Sequence, residues 1–172
     1  MKRSAPELVV ADAGPLIGLA IIGGLPWIER LFQEVLIPEA VAAELCLDSA
    51  MPGAATLAAA RDRGWLKIVA VAEVPAHLLA TVDRGEAEAI TLAKRHAVPM
   101  LIDESRGRTA ARSEGVQVFG SGAVLIRAKE RRIIRQIRPH LDALTQAQYR
   151  LSEALRHEIL RQAGEVASPT PD

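Results

Sequence analysis

Four acidic residues stand where types and spacing could do chemistry. Asp12 follows the apolar run Val9-Val10-Ala11, so it falls at the C-terminal end of a buried strand. Asp103 follows Met100-Leu101-Ile102 and falls at the equivalent end of another. In open α/β sheets that edge is where ligand sites gather. One such Asp alone would serve equally well as a helix cap; two in one small sheet favour a shared site. Glu86 has Ala89, Ile90 and Ala93 three, four and seven positions on, which puts it at the head of a buried helical stripe. Glu44 stands in the same relation to Ala40 and Val41. Either glutamate alone could lie at the margin of its stripe, reaching water or an arginine. Glu88 shares its side with Thr91, Leu92 and Arg95, which predicts a solvent-facing side chain and an inert reference for substitution. Taken together, four clustered carboxylates repel one another, and a fold keeps them chiefly when a cation neutralises them. Oxygen-only ligands suit Mg2+ or Mn2+. Two such ions about 4 Å apart can activate water and stabilise the leaving oxygen of a phosphodiester, which is nuclease chemistry.

The elements that must position these acids are legible as alternating strands and helices. Strands are expected at Leu8–Ala11, Val35–Ile37, Leu66–Val71, Pro99–Ile102 and Val116–Phe119. Helices are expected from Gly14-Pro15 to Gly23-Gly24, over Leu25–Phe32, from Glu39 to about Cys46, to about Arg63 before Gly64, over Arg84–His96, over Ser105–Glu114, and from Ser121 to about Ile134. Pro15 and Pro38 suit first turns, and Gly64 and Gly115 suit helix ends. The alternation implies a parallel sheet covered on both faces. From Pro139 to Gly164 the pattern is helical, and the polar end Ser168-Pro169-Thr170-Pro171-Asp172 is expected to be disordered.

Four segments, in order and spacing, resemble the PIN-domain family, in its branch of bacterial toxins. They are Val9-Val10-Ala11-Asp12-Ala13-Gly14-Pro15-Leu16-Ile17, Val35 to Leu45, Gly85 to Ala93 running on to Leu101-Ile102-Asp103-Glu104, and Gly120-Ser121-Gly122-Ala123-Val124-Leu125. The resemblance implies a three-layer α/β/α sandwich with a central, mainly parallel sheet. It divides the chain into a PIN-like nuclease domain over 7–135, a C-terminal helical extension over 136–165 and a disordered tail over 166–172. It implies an Mg2+- or Mn2+-dependent endoribonuclease, the toxin of a type II toxin–antitoxin pair, with an RNA substrate, a cognate antitoxin and a homodimeric state. Its acidic quartet falls on Asp12, Glu44, Glu86 and Asp103. Two departures stand out. The family usually has a small hydroxyl residue just after its first Asp, where this chain has Ala13-Gly14, and its fourth acid is commonly an Asp pair, here Asp103-Glu104. Glu104 is open between a ligand and a helix-start charge. Ser121 is open between a hydroxyl beside the metals and an N-cap, the latter being commoner.

Arg106, Arg108 and Arg112 follow the second Asp and either steer phosphate or line a solvated face that pairs with Glu104 or Glu114. Arg127, Lys129, Arg131, Arg132, Arg135 and Arg138, against Glu130 alone, form the strongest local positive charge and suit an RNA track or a partner face. Globally, 21 basic residues balance 21 acidic ones, which excludes a protein coated in positive charge. Aromatics at 3% exclude a base-stacking platform. One cysteine, Cys46, allows no internal disulfide, and none of the four histidines has metal-ligand spacing with another, so a cytoplasmic setting is expected. Met1-Lys2-Arg3 before a mostly apolar stretch raises a leader or anchor, but Asp12, Pro15, Gly23, Gly24 and Pro26 break that stretch into pieces too short to span a bilayer. Leu16, Ile17, Leu19, Ile21 and Ile22 exceed one buried stripe, which suggests a helical dimer face. The competing class is a non-catalytic PIN-like module that binds RNA or protein. A haloacid-dehalogenase-type phosphatase would need an acid two residues after Asp12, where Gly14 stands.

Overall fold

Short apolar runs build the sheet in this computed structural model, which describes residues 8–166. Strands β1 (Leu8–Ala11), β2 (Glu34–Pro38), β3 (Leu66–Val69), β4 (Met100–Leu101) and β5 (Val118–Phe119) are all parallel, in the order β3-β2-β1-β4-β5. Central β1 is flanked by strands that are themselves buried, and Val9, Val10, Ala11, Val35 and Ile37 have no exposed surface. A strand covered on both faces has no polar face to show, which is why these runs lack alternation. The strand expected over Leu66–Val71 is an edge strand that stops at Val69.

One face of the sheet carries α6 (Arg84–His96), which packs on β1, β2 and β4 and is flanked by α3 (Glu39–Leu45), α5 (Ala76–Thr81) and α7 (Ser105–Ser113). The other layer holds α1 (Ala13–Ile21), α2 (Leu25–Phe32), α4 (Ala54–Asp62) and α8 (Ser121–Glu130). The result is the expected three-layer α/β/α architecture, with a wholly parallel sheet. α5 lies outside the helices the sequence pattern predicts. The helix expected from Ser121 to Ile134 ends at Glu130, where Arg132 turns the chain with a positive φ of 58°. Beyond it, α9 (Arg138–Gln146) packs against α1, and α10 (Glu153–Gln162) packs against α8. Pro15 is the third residue of α1, still within its first turn, rather than the first, and Asp12 occupies the N-cap.

Among the described residues, no helix is long and apolar enough to cross a membrane. Most of the expected tail over 166–172, and the basic Met1-Lys2-Arg3, lie outside the described residues.

Candidate active site

The C-terminal edge of the sheet brings two of the acids side by side. Ala11 and Leu101 are in register across β1 and β4, and the Asp12 N–H donates to the Leu101 carbonyl at 2.9 Å. Asp12 and Asp103 therefore leave adjacent strands at nearly the same level. Glu44 lies in the last turn of α3 and Glu86 in the first turn of α6, and these two helices pack together. Three glycines let the carboxylates settle against backbone. A Cβ on Gly85 would collide with Glu44 Oε1. One on Gly107 would lie 2.5 Å from Glu86 Oε1, and one on Gly120 would lie 2.5 Å from Asp103 Oδ1.

Glu88 is buried, at 4% exposure, and is not solvent-facing. It accepts the Ala40 N–H at 3.2 Å and the Arg84 Nε–H at 2.8 Å. A one-stripe pattern assumes one covered face, but α6 is covered on several, and every residue from Gly85 to Ala93 is buried. Pro38 at the N-cap of α3 has no side-chain acceptor to offer, so Glu88 reaches across to satisfy that helix start. It thereby ties the helix bearing Glu44 to the helix bearing Glu86.

The acids are uncompensated. Burial pushes the Asp12 carboxyl up to about 6, helped by the charges of Asp83 and Asp103 and opposed by the N–H groups of Ala13 and Gly14. No full side-chain cap bond forms at Asp12. Glu86 is raised to about 7 by burial first, then by Asp83, Asp12 and Glu104. Glu44 is raised to about 7 by partial burial, Asp83 and Asp12, although its side chain is exposed and solvent screens part of that effect. Among the described residues, none of Asp12, Glu44 and Glu86 has an ion-pair partner. Asp83 is the acid that sequence reasoning missed. It caps α6 by accepting the Glu86 N–H at 2.8 Å, and its charge acts on three of the four acids. Its signal was available: an Asp directly before a helix start, three residues ahead of Glu86. Glu104 is likewise a cap, accepting the Gly107 N–H at 2.9 Å.

Asp103 is held by donors. Its Oδ1 accepts the Ser121 N–H at 2.7 Å, and its Oδ2 accepts the Ser121 hydroxyl at 2.5 Å. Ser121 is thus the first residue of α8 and donates twice to Asp103; Gly120 holds the N-cap position. A further donor to Oδ2 comes from Tyr149, a residue after α9 that sequence reasoning did not single out. Burial and the Asp103 carboxylate push the Tyr149 phenol well above its usual range. Arg108 donates to the Ile102 carbonyl at 3.0 Å and lies beside Asp103, with burial lowering its pKa. Arg106 is exposed. The pairing expected between these arginines and Glu114 is replaced by Lys94 and His77, each 2.6 Å from Glu114. The basic stretch is partly neutralised: Glu165 pairs with Lys129 Nζ at 2.7 Å and also accepts the Arg138 backbone N–H at 2.9 Å, while the Arg127 guanidinium lies over the Phe32 ring at 5.5 Å.

All-oxygen donors carrying uncompensated charge fit a hard divalent cation. Among the described residues, however, no three acidic, histidine or cysteine side chains are gathered closely enough to enclose one as they stand. Holding an ion would draw the flexible glutamates inward.

The family model described as "PIN domain" matches residues 8–165, nearly the whole described chain. The chain belongs to the PIN-domain family. PIN domains are generally nucleases and generally use divalent metal ions. Among solved structures, the chain is similar to a PilT N-terminus domain protein from the hyperthermophilic archaeon Sulfolobus solfataricus P2. That match has 16% identity and a TM-score of 0.50, covering 68% of this chain and 89% of that one. It is also similar to a domain of a functionally unknown protein from Methanocaldococcus jannaschii DSM 2661, at 21% identity and a TM-score of 0.45, covering 66% and 90%. No curated protein matches it significantly. At these identities the PilT N-terminus likeness supports the fold alone, and the PIN assignment rests on the family match.

Proposed function

We propose that this PIN domain is a divalent-metal-dependent endoribonuclease, and that it acts as the toxin of a toxin–antitoxin pair. The observation that carries the enzymatic reading is the convergence of acids at the C-terminal sheet edge, with Asp12 and Asp103 leaving paired strands and Glu44 and Glu86 on helices that pack together. Burial first, and like charge second, disfavour the ionised acids, and a hard cation is the simplest ligand that offsets both. Asp12, Glu44, Glu86 and Asp103 would hold Mg2+ or Mn2+, which when bound makes water a nucleophile near neutral pH and stabilises charge on phosphate oxygens. The chain's own residues do the rest. Ser121 fixes the Asp103 carboxylate through both of its oxygens. Asp83 caps α6 and so sets where Glu86 emerges. Arg108, beside Asp103, and exposed Arg106 offer positive charge to the RNA backbone. No side-chain nucleophile is required.

The toxin role, the antitoxin and a homodimer rest on the resemblance of the four segments to the toxin branch. The exposed Ile21 and half-buried Ile17 and Ile22 of α1 provide apolar surface for a twofold contact. The reading is tested by incubating the purified protein with a long RNA in Mg2+, in Mn2+ and in EDTA. Internal cleavage with either ion and none in EDTA is the expected result. Absence of cleavage and of Mn2+ binding would leave the non-catalytic RNA- or protein-binding module.

A further inference from the structure

The geometry points to Tyr149 as a positioning residue: the C-terminal extension completes the acidic site by placing one hydroxyl on the Asp103 carboxylate, over the start of α1. This role rests on the metal-dependent reading above and deepens it.

The local backbone delivers the side chain. α9 ends in a reversed turn in which Gln148 takes a positive φ of 59°, the Gln148 N–H donates to the Thr145 carbonyl at 3.0 Å, and the Tyr149 N–H donates to the Leu144 carbonyl at 3.0 Å. Such a helix stop throws the next side chain back over the helix neighbours. Here the neighbour is α1, and α1 has a slot for the ring. A Cβ on Gly18 would lie 2.6 Å from Tyr149 Cε2 and 2.9 Å from Cδ2, so only glycine leaves room. One turn earlier, a Cβ on Gly14 would lie 3.8 Å from the Tyr149 hydroxyl and 3.8 Å from Asp12 Oδ2. The hydroxyl thus lies over the bare start of α1, close to Asp12, and donates to Asp103 Oδ2. The Ser121 hydroxyl meets the same oxygen at 2.5 Å.

Asp103 stands beyond the end of β4, where strand pairing no longer limits its side chain. Two donors come from the start of α8, and the third comes from a segment 46 residues away in sequence. A carboxylate has about four lone-pair directions. With three taken, its orientation is set and about one direction is left to face a cation. The extension therefore does more than cover the α1 face: its one hydroxyl orients a proposed metal ligand.

Tyr149 is the sole tyrosine of the chain, which makes the test direct. In the metal-free protein, the Tyr149 hydroxyl proton should give a slowly exchanging NMR resonance that vanishes in Tyr149→Phe. A hydroxyl exchanging like a free phenol would overturn the proposal whatever the enzyme does. With metal, Tyr149→Phe keeps the ring in its slot and should melt like the parent. Its Mn2+ affinity by calorimetry and its kcat should fall about ten- to a hundredfold, as for other groups that orient a metal ligand, with KM for RNA unchanged. Gly18→Ala, which expels the ring while keeping the hydroxyl, should show the same loss and also lose the resonance. Parent-like Mn2+ binding in Tyr149→Phe would refute the positioning role. A parent that itself neither binds Mn2+ nor cleaves RNA would overturn the metal-dependent reading, and the resonance would still decide whether Tyr149 holds Asp103.

Discussion

Replacing Asp12 by Asn separates the two roles a carboxylate can have at this position. Asp12 occupies the N-cap of α1 but makes no side-chain cap bond, and Asn would cap equally well if one were needed. What the change removes is charge. Asp12 is 8% exposed and its carboxyl is raised from 3.8 to about 6. A raised carboxyl binds its proton more tightly in the folded state, so the cost of its charge is absent below about pH 4, grows as pH rises to about 6, and is full above that. Two pKa units correspond to about 3 kcal/mol, which is the ceiling for what Asn can recover at pH 7.5. Relaxation of the site will lower that, and a gain of about 1–3 kcal/mol raises the melting temperature of a domain this size by roughly 2–10 °C. The assay is thermal melting of both proteins at pH 4 and pH 7.5, with EDTA and with Mn2+. Metal-free Asp12→Asn should melt above the parent at pH 7.5 and beside it at pH 4. Mn2+ should stabilise the parent, by about 2.7 kcal/mol at a hundred times its Kd, and should do little for the variant. RNA cleavage should be lost. A variant that melts below the parent at pH 7.5, or that cleaves RNA normally, would refute the reasoning.

Other substitutions probe the frame around the acids. Glu88→Ala strands the half-buried Ala40 N–H and frees the start of α3; it should cost about 1 kcal/mol in urea unfolding, so Glu88 is no inert reference. Gly107→Ala would gain roughly 1 kcal/mol of helix propensity but push Glu86 Oε1 and Ile102 aside, so Mn2+ affinity should fall while the fold persists, as calorimetry and circular dichroism would show. Glu165→Ala removes the acceptor shared by Lys129 and the N–H groups of Ile137 and Arg138; hydrogen exchange should speed up over α9 and α10 before it does in the sheet.

The local signals in the chain were sufficient for the parallel sheet. Apolar runs ending in Asp12 and Asp103, prolines at Pro15 and Pro38, and glycines at Gly64 and Gly115 each act over a few residues, and helices such as Arg84–His96 follow from them directly. Burial of an acid at a strand end is also a local matter, since the strand before it dictates it. What the chain could not show locally depends on which surfaces meet. Glu88 shows an exposed pattern along its own helix, yet α3 covers it and gives it a backbone donor. Ser121 carries a cap residue's signature, yet Asp103 takes its hydroxyl because β4 and α8 end side by side. Tyr149 belongs to no motif. Its place beside Asp12 and Asp103 exists only because α9 lies on α1, where Gly18 leaves the slot for its ring. Periodicity reports how much of a helix is covered, while identity of the covering surface, and therefore of each buried polar partner, is set by packing between segments far apart in sequence.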